Sequence, residues 1–284
     1  MLKSFVIILT LFVVKLPVDN SKSNFYYMTS LLPTSHSEFH TKDYWDSFFL
    51  KRGNKSFEWY GRYEEIAPYI KAKTSINHRF LVIGCGNSDF SSKLYDLNYK
   101  NVINLDFSDK VIDEMRVKNK GRSGMRWIVG DMTNMHQIEK NSIDIVFDKG
   151  ALDALLSENS FDCKLQAKLM FAEIERVLVD EGAYICITLA QEFVIQALLD
   201  YFTGSASAGS KLGWSIIIEV IVSRSPSPFV PFIITITKTK RKNQRIQVLV
   251  DSFGQPASSG ESPPSSSQVV KLVSPLKYDN CLLH

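Results

Sequence analysis

A buried strand that ends in a glycine turn constrains the fold of this chain most. The apolar run Phe80–Ile83 leads into Gly84, Cys85 and Gly86, and a second apolar run, 102–105, ends at Asp106. Two glycines allow the backbone to turn tightly and to approach a ligand closely. An acidic residue about 20 positions further on, at the end of the next strand, accepts hydrogen bonds from ribose hydroxyls in such units. The pattern therefore predicts a βαβ unit that binds a nucleoside.

The third glycine of a dinucleotide-binding loop is absent from this turn. In the pattern G-x-G-x-x-G that position holds Asp89, whose carboxylate would oppose a pyrophosphate at the start of a helix. S-adenosylmethionine has no phosphate and carries a positively charged sulfonium, so Asp89 is compatible with it. The glycine turn and the acidic residue about 20 positions after it are, by themselves, a weak signal of a nucleotide site. An NAD-dependent oxidoreductase therefore remains an alternative class of protein.

Strand and helix patterns alternate along the middle of the chain. Apolar runs predict strands at 80–83, 102–105, 125–129, 143–147 and 183–189, and helical patterns lie at 88–97, 108–118, 164–178 and 192–202. This alternation predicts a mainly parallel sheet with helices on both faces. Two β-rich runs, 214–222 and 229–237, then follow without a helix and predict an antiparallel hairpin at the sheet edge. The whole resembles the seven-stranded, Rossmann-like α/β fold of class I methyltransferases.

Both ends of the chain differ in composition from its middle. Residues 5–14 form an apolar run flanked by Lys3 and Lys15, too short to span a bilayer. It is shaped like a signal-peptide core, a mitochondrial presequence is a second interpretation, and a translation start at Met28 is a third. Residues 254–267 are rich in Ser, Pro and Gly, which predicts disorder. We expect a leader (1–27), a methyltransferase domain (28–253) and a low-complexity tail (254–284), with no stable membrane insertion.

Charge and cysteine usage narrow the class of protein further. A net charge of +3 is too small to favour nucleic acid as a partner. The four cysteines form no C-x-x-C pair and the five histidines have no ligand spacing, so we expect no metal. Such cysteines suit a reducing compartment. The cytoplasm is the expected location, or the mitochondrion if the leader is a presequence.

Acidic residues follow successive predicted strands. Asp106 ends the second, Asp131 follows the third, and Asp148 and Asp153 follow the fourth. Open α/β sheets bind their ligands at this carboxyl edge. Each residue singly is explained equally well as a helix or turn cap. Their joint position favours a ligand site.

Several longer motifs carry a resemblance to a known family. The sequence reads LLPTSHSEF at 31–39, DYWDSFF at 43–49, FEWYG at 57–61, LVIGCGNS at 81–88, GDMT at 130–133 and DKGALDALL at 148–156. Together they resemble the N-terminal domain of the elongation factor 1-alpha lysine and N-terminal methyltransferases. This family belongs to the seven-β-strand protein-lysine methyltransferases, as does the mitochondrial citrate synthase lysine methyltransferase. The resemblance does not extend to the family's second methyltransferase half, so it implies lysine methylation only.

The resemblance implies roles for individual residues around S-adenosylmethionine. Aromatic side chains would wall the pocket, glycines would lie under the methionine moiety, and residues after strands two, three and four would contact ribose, adenine and the rest of the cofactor. For the aromatic residues, one packed face of an N-terminal helix is the alternative. The expected cofactor-binding residues are Trp45, Phe49, Phe57, Gly84, Gly86, Asp106, Phe107, Asp131, Met132 and Lys149.

Methyl transfer to lysine requires a neutral amine that is held in line with the methyl group. A free lysine, with a pKa near 10.4, is mostly protonated at neutral pH, so the site must orient it and favour its neutral form. We hypothesise that Asp148 orients the substrate lysine, with Glu58 and Asp153 as second choices. For Glu58 a salt bridge within the N-terminal segment is the alternative.

The expected activity is therefore S-adenosylmethionine-dependent lysine methylation of translation elongation factor 1-alpha. The resemblance leaves a mitochondrial methyltransferase of the citrate synthase type as one alternative. A non-catalytic S-adenosylmethionine-binding module is another, because a fold does not by itself imply an activity.

Overall fold

The computed structural model describes residues 33, 35–53, 56–203, 213–221 and 230–239, together with the backbone of strands at 245–249 and 269–270. The predicted leader, most of the predicted tail and the segments at 204–212 and 222–229, which flank the first run of the predicted hairpin, lie outside these residues. In the described part of the chain, no helix is both long and apolar enough to cross a membrane.

The helices and strands follow the predicted alternation. A 3₁₀ helix, His36–His40, precedes α1 and α2, after which strands and helices alternate from β1 to α7. The bounds are α1 Lys42–Arg52, α2 Tyr63–Lys73, β1 Phe80–Ile83, α3 Phe90–Asp96, β2 Val102–Asp106, α4 Asp109–Lys118, β3 Met125–Val129, β4 Ile143–Lys149, α5 Ala151–Leu155, α6 Phe161–Val177, β5 Leu178–Thr188, α7 Glu192–Thr203, β6 Gly213–Val220, β7 Phe232–Thr239, β8 Arg245–Leu249 and β9 Val269–Val270.

One mixed sheet contains all the strands, in the order β3-β2-β1-β4-β5-β7-β6-β8-β9. Strands β1 to β5 pair in parallel, and β7 runs antiparallel between β5 and β6. The first seven strands therefore form the predicted class I, Rossmann-like α/β sheet. Between β1 and β4 the strand order changes direction, which places a ligand crevice at their carboxyl ends.

The structure differs from the sequence prediction mainly at element ends. Strand β5 begins at Leu178 rather than at residue 183, so α6 ends at Val177, one residue earlier than predicted. Helix α6 also begins three residues earlier than predicted, at Phe161. The predicted hairpin pairs as expected, but β6 is not the last strand, because β8 pairs with it and β9 with β8. Pairing of β8 covers the backbone edge that β6 would otherwise expose. Strand β9 lies within the predicted low-complexity tail, just after the residues predicted to be disordered, 254–267.

Apolar side chains fill both faces of the sheet. Along β1, Phe80 and Val82 point to the face covered by helices α1–α4, whereas Leu81 and Ile83 point to the face covered by α5–α7. This alternation follows from the two-residue period of a strand. All four side chains are buried, which explains why the sequence shows a continuous apolar run there.

Candidate active site

A single cavity of about 530 Å³ lies at the carboxyl ends of the central strands. Its volume falls within the usual range for small-molecule sites, about 300–1,000 Å³. It collects side chains from the N-terminal segment, the glycine turn and the ends of β2, β3 and β4. All the residues expected to bind the cofactor line it: Trp45, Phe49, Phe57, Gly84, Gly86, Asp106, Phe107, Asp131, Met132 and Lys149.

The two glycines of the turn adopt a left-handed backbone, with φ of +54° at Gly84 and +49° at Gly86. A Cβ at Gly84 would lie 2.5 Å from the Cβ of Ala151, and a Cβ at Gly86 would lie 3.4 Å from the Phe49 ring. The first glycine is thus required by backbone conformation and by close packing against α5. The second lets the aromatic segment approach the turn.

Asp106 is buried at the end of β2 and borders the cavity. Its two carboxylate oxygens accept hydrogen bonds from the backbone N–H groups of Gly86, at 2.9 Å, and Ser108, at 3.0 Å. Burial raises the pKa of Asp106 to about 6, against the lowering effect of these hydrogen bonds. Each oxygen retains a second lone pair that can accept from a ligand hydroxyl. A buried acceptor of this kind fits the ribose of S-adenosylmethionine.

Aromatic rings from α1 and the segment after it form one wall of the cavity. The centroid of Trp45 lies 5.9 Å from that of Phe49 and 6.2 Å from that of Trp59, and Phe57 lies 4.7 Å from Trp59. The indole N–H of Trp45 donates to the carbonyl of Phe39 at 2.6 Å. These residues therefore pack together and also face the cavity. Aromatic faces attract cations, which suits a sulfonium.

An ion pair ties the aromatic segment to the end of β4. The Lys149 Nζ lies 2.9 Å from the carboxylate of Glu58 and donates to the carbonyl of Trp59 at 3.0 Å. The Glu58 carboxylate also accepts from the Ser88 hydroxyl and from the backbone N–H of Asp89. Burial lowers the pKa of Lys149, and the neighbouring Glu58 opposes that shift. The ion pair of Glu58 thus crosses to the sheet and does not stay within the N-terminal segment.

Asp148 does not face the cavity, which corrects its expected role. The side chain is completely buried and accepts hydrogen bonds from the backbone N–H groups of Ala151, at 2.7 Å, and Leu152, at 3.2 Å, and from the Tyr184 hydroxyl, at 2.9 Å. Burial raises its pKa to about 7. Asp148 therefore holds the start of α5 against β5 and does not line the cavity.

Asp153 and Glu58 are also occupied by the protein itself. Asp153 accepts from the Thr188 hydroxyl and from the backbone N–H of Leu189, and Tyr60 bonds to it as well. Neither Asp153 nor Glu58 lines the cavity. Asp148 and Glu58 are therefore better described as positioning groups around the site, because Asp148 holds Ala151 and Glu58 holds Ser88, which do line it. The partners of Asp153 lie outside the lining.

After β3, the turn interpretation and the ligand interpretation both apply. Asp131 accepts from the backbone N–H and the hydroxyl of Thr133, each at 2.8 Å, and its side chain is exposed to the cavity. Met132 lines the cavity and packs against the apolar core. An adenine ring placed here would meet an acceptor and an apolar surface.

Sequence reasoning missed one end of the cavity. There the 3₁₀ helix faces the start of α6, and the Cys163 Sγ lies 4.0 Å from the His40 Nδ1. The only signal for this end of the cavity in the sequence was the family resemblance at 31–39, and that resemblance did not assign a role to any residue there. In the part of the chain that the structure describes, no group of three or more side chains could hold a metal ion. The lining residues at this end are Ser37, Phe39, His40, Glu158, Ser160, Asp162, Cys163 and Gln166.

Comparison with known proteins assigns the class. Residues 75–213 match a family described as "Methyltransferase domain". Among solved structures, phosphoethanolamine N-methyltransferase 1 of Haemonchus contortus, in complex with phosphoethanolamine and S-adenosylhomocysteine, superposes with a TM-score of 0.52 at 13% identity, covering 72% of this chain and 51% of that one. That likeness shows the fold. Residues 75–213 therefore resemble a methyltransferase domain, and the fold is that of the Rossmann-like class.

Curated relatives narrow the relationship within this class. The chain is 38% identical over 195 residues to the eEF1A lysine and N-terminal methyltransferase of Homo sapiens, covering 68% of this chain and 27% of that protein. It is 41% identical over 174 residues to the protein of the same name in Danio rerio, covering 61% and 25%. This chain is thus a relative of the eEF1A lysine and N-terminal methyltransferases and spans about a quarter of their length.

Proposed function

We propose that this chain transfers a methyl group from S-adenosylmethionine to a lysine of translation elongation factor 1-alpha. One observation carries the proposal. The motif segments at 57–61, 81–88, 130–133 and 148–156, which resemble the elongation factor methyltransferases, converge on a single cavity. The curated relatives bear lysine methylation of eEF1A in their names.

The residues around the cavity have complementary tasks toward the cofactor. When bound, S-adenosylmethionine supplies a methyl group that is electrophilic because it is attached to a sulfonium. Asp106 would accept from the ribose hydroxyls and Asp131 from the adenine amino group. The aromatic wall formed by Trp45, Phe49 and Phe57 would face the sulfonium and keep water from it. The charge of Lys149 is compensated by Glu58, so it does not repel a cationic ligand.

Positioning is the main contribution of this protein to the reaction. A lysine amine attacks only when it is neutral and aligned with the methyl group, and alignment alone accounts for a large part of the rate of such reactions. Asp148 and Asp153 are engaged in hydrogen bonds away from the cavity, so neither acts as a base. We infer that the amine loses its proton to solvent at the cavity mouth before it reaches the aromatic wall.

The test is methylation of purified elongation factor 1-alpha with isotopically labelled S-adenosylmethionine, followed by mass spectrometry. We expect label on a lysine side chain, and no label with the Asp106→Ala variant. Label on another residue type, or no label from a protein that binds the cofactor by calorimetry, would contradict the proposal. The second result would identify a non-catalytic binding module.

We further propose that the protein acts in the cytoplasm and that its partner is a protein and not a nucleic acid. Cys85, Cys163 and Cys186 are buried free thiols, which supports a reducing compartment. Import of a reporter fused to residues 1–30 into mitochondria would contradict the cytoplasmic location. A reporter that stays in the cytosol would support it.

A further inference from the structure

Helix α6 exposes a row of large apolar side chains. Phe161 is 79% exposed, and Leu165 and Leu169 are each 43% exposed. Because residues four positions apart lie on the same side of a helix, these three form one continuous stripe. The opposite side of α6 packs into the core through Cys163, Ala167, Met170, Phe171, Ile174 and Val177. The stripe therefore lies on the outside of the molecule.

The stripe begins at the mouth of the cavity. Asp162 and Gln166, which line the cavity, each directly follow a member of the stripe. One residue corresponds to a rotation of about 100° around a helix axis. Asp162 and Gln166 therefore form a row between the apolar stripe and the core-facing side, next to the opening. A protein lying on the stripe would be beside the entrance to the cofactor cavity.

Among the residues that the structure describes, two carboxylates at this mouth have no cation to balance them. Glu158 and Asp162 are exposed and line the cavity, and within the described residues neither forms an ion pair. The situation of Glu58 is different, because Lys149 compensates its charge. Lys164 and Lys168 are exposed on the far side of the stripe, so the two charge types flank it. An approaching cation is thus drawn to the cavity side of the stripe.

We propose that this stripe and the two carboxylates form the docking surface for the protein substrate. The occupant is a protein segment that presents a lysine next to an apolar side chain. Its apolar side chain packs on Phe161 and Leu165, and its lysine ammonium is attracted by Glu158 and Asp162 to the mouth. The inference rests on the proposed function and adds the surface that recognises the substrate. It also explains why large apolar groups remain in solvent at this place.

The first test removes the apolar contact. A Phe161→Ser/Leu165→Ser variant is compared with wild type for methylation of elongation factor 1-alpha. We expect KM for the protein substrate to rise at least about tenfold, the equivalent of about 1.4 kcal/mol. The dissociation constant of S-adenosylmethionine, measured by calorimetry, should not change, because neither residue lines the cavity.

Val117→Ser is the matched control. Val117 is 78% exposed on α4, and that helix packs on the opposite face of the sheet. The control should leave KM unchanged. An equal rise of KM in both variants would overturn the docking proposal, as would an unchanged KM in the double variant.

The second test removes the charges without altering shape. A Glu158→Gln/Asp162→Asn variant should raise KM severalfold at low salt. The difference from wild type should shrink as ionic strength increases, because exposed charges are screened. A difference that does not depend on salt would contradict the role of the carboxylates.

Binding of elongation factor 1-alpha is also measured directly, without turnover, so that two failures can be separated. If wild type binds the factor and the stripe variant does not, docking is supported even when no lysine is methylated. If elongation factor 1-alpha is methylated but the stripe variant binds it as tightly as wild type does, the docking proposal is overturned and the proposed function stands. The stripe could instead serve as a dimer contact or contribute to stability, and each of these roles predicts a different measurement. A dimer that dissociates in the variant, or a loss of melting temperature larger than in Val117→Ser, would overturn the proposal.

Discussion

Lys149 and Glu58 form an ion pair, with 2.9 Å between the ammonium nitrogen and a carboxylate oxygen, that joins the N-terminal segment to the end of β4. Only 7% of the lysine side chain and 20% of the glutamate side chain are exposed. The pair lies where the aromatic wall meets the glycine turn, because Glu58 also binds Ser88 and the backbone of Asp89. It thus fixes one side of the cofactor cavity relative to the other.

Breaking this pair should destabilise the protein strongly. Glu58→Gln leaves Lys149 buried without its counter-charge, and loss of one partner of a buried pair costs on the order of 3 kcal/mol. The Glu58→Gln/Lys149→Met double variant, which removes both charges, should recover part of this loss. Denaturant unfolding of the three proteins measures the effect.

Glu64→Gln is the control for that experiment, because Glu64 pairs with Lys93 at the surface with 62% and 40% of the side chains exposed. We expect that control to change the free energy of unfolding by less than about 1 kcal/mol. Similar losses at both sites would show that burial of the Lys149 pair contributes nothing.

Gly84→Ala should destabilise the fold by two separable effects. The left-handed backbone costs a non-glycine residue about 1–2 kcal/mol, and the new methyl would also collide with Ala151. Gly53→Ala measures the cost of a positive φ without a collision, because Gly53 has φ of +56°, ψ of −153° and no neighbour within 4 Å of the new Cβ. The second effect should be relieved by Ala151→Gly. The measurement is the melting temperature of each variant. If the Gly84→Ala/Ala151→Gly double variant melts at the same temperature as Gly84→Ala alone, the packing argument is contradicted.

Cofactor affinity should depend on the protonation of Asp106. Its pKa of about 6 in the free protein means that the carboxylate accepts ribose hydrogen bonds fully only above that pH. Affinity for S-adenosylmethionine should therefore be constant above pH 7 and fall as the pH drops through about 6. Asp106→Asn should weaken binding by about 1.5–3 kcal/mol and remove this dependence. Calorimetry between pH 5 and 8 tests both effects, and a wild-type affinity that does not vary would exclude Asp106 from the ribose site.

Asp148 should make the protein less stable as the pH rises. Its pKa is raised to about 7 in the folded protein, from 3.8, so the folded state binds this proton more tightly than the unfolded state. Its contribution to stability is complete below about pH 4 and is lost as the pH rises through about 7. Asp148→Asn should remove that part of the slope. Chemical unfolding of both proteins from pH 5 to pH 8 should show the variant gaining relative to wild type, and parallel curves would contradict the assignment.

Local signals in the sequence were sufficient to predict the first seven strands and several residues that line the cavity. The strands at 80–83 and 125–129 are found with the predicted bounds. At 80–83 the reason is that a strand buried on both faces must be apolar throughout. Ser108 caps α4 at the start of the helical pattern predicted at 108–118, accepting from the backbone N–H of Val111. The places of Gly84, Gly86, Asp106 and Asp131 beside the cavity could be predicted because topology brings the strand ends to one edge.

Long-range relationships could not be predicted from local patterns. Asp148 lies at a strand end just as Asp106 does, and only the packing of Tyr184 and α5 against it shows that it faces inward. The residues at the start of α6 that line the cavity belong to no sequence motif. They approach the 3₁₀ helix only through tertiary packing, so a local pattern could not reveal them. Strand β8 was missed because its partner edge exists only after β6 and β7 have paired.

The contacts that close the cavity also determine when it can exist during synthesis. Lys149 bonds to Trp59 across 90 positions, and Cys163 approaches His40 across 123. A ribosome adds about 5–20 residues per second, so the aromatic segment is outside the ribosome for on the order of 10 s before its partners are made. During this interval its rings lack the β4 and α6 sides of the cavity. The aromatic segment is thus translated first, and a nascent chain halted before β4 has no closed cofactor pocket.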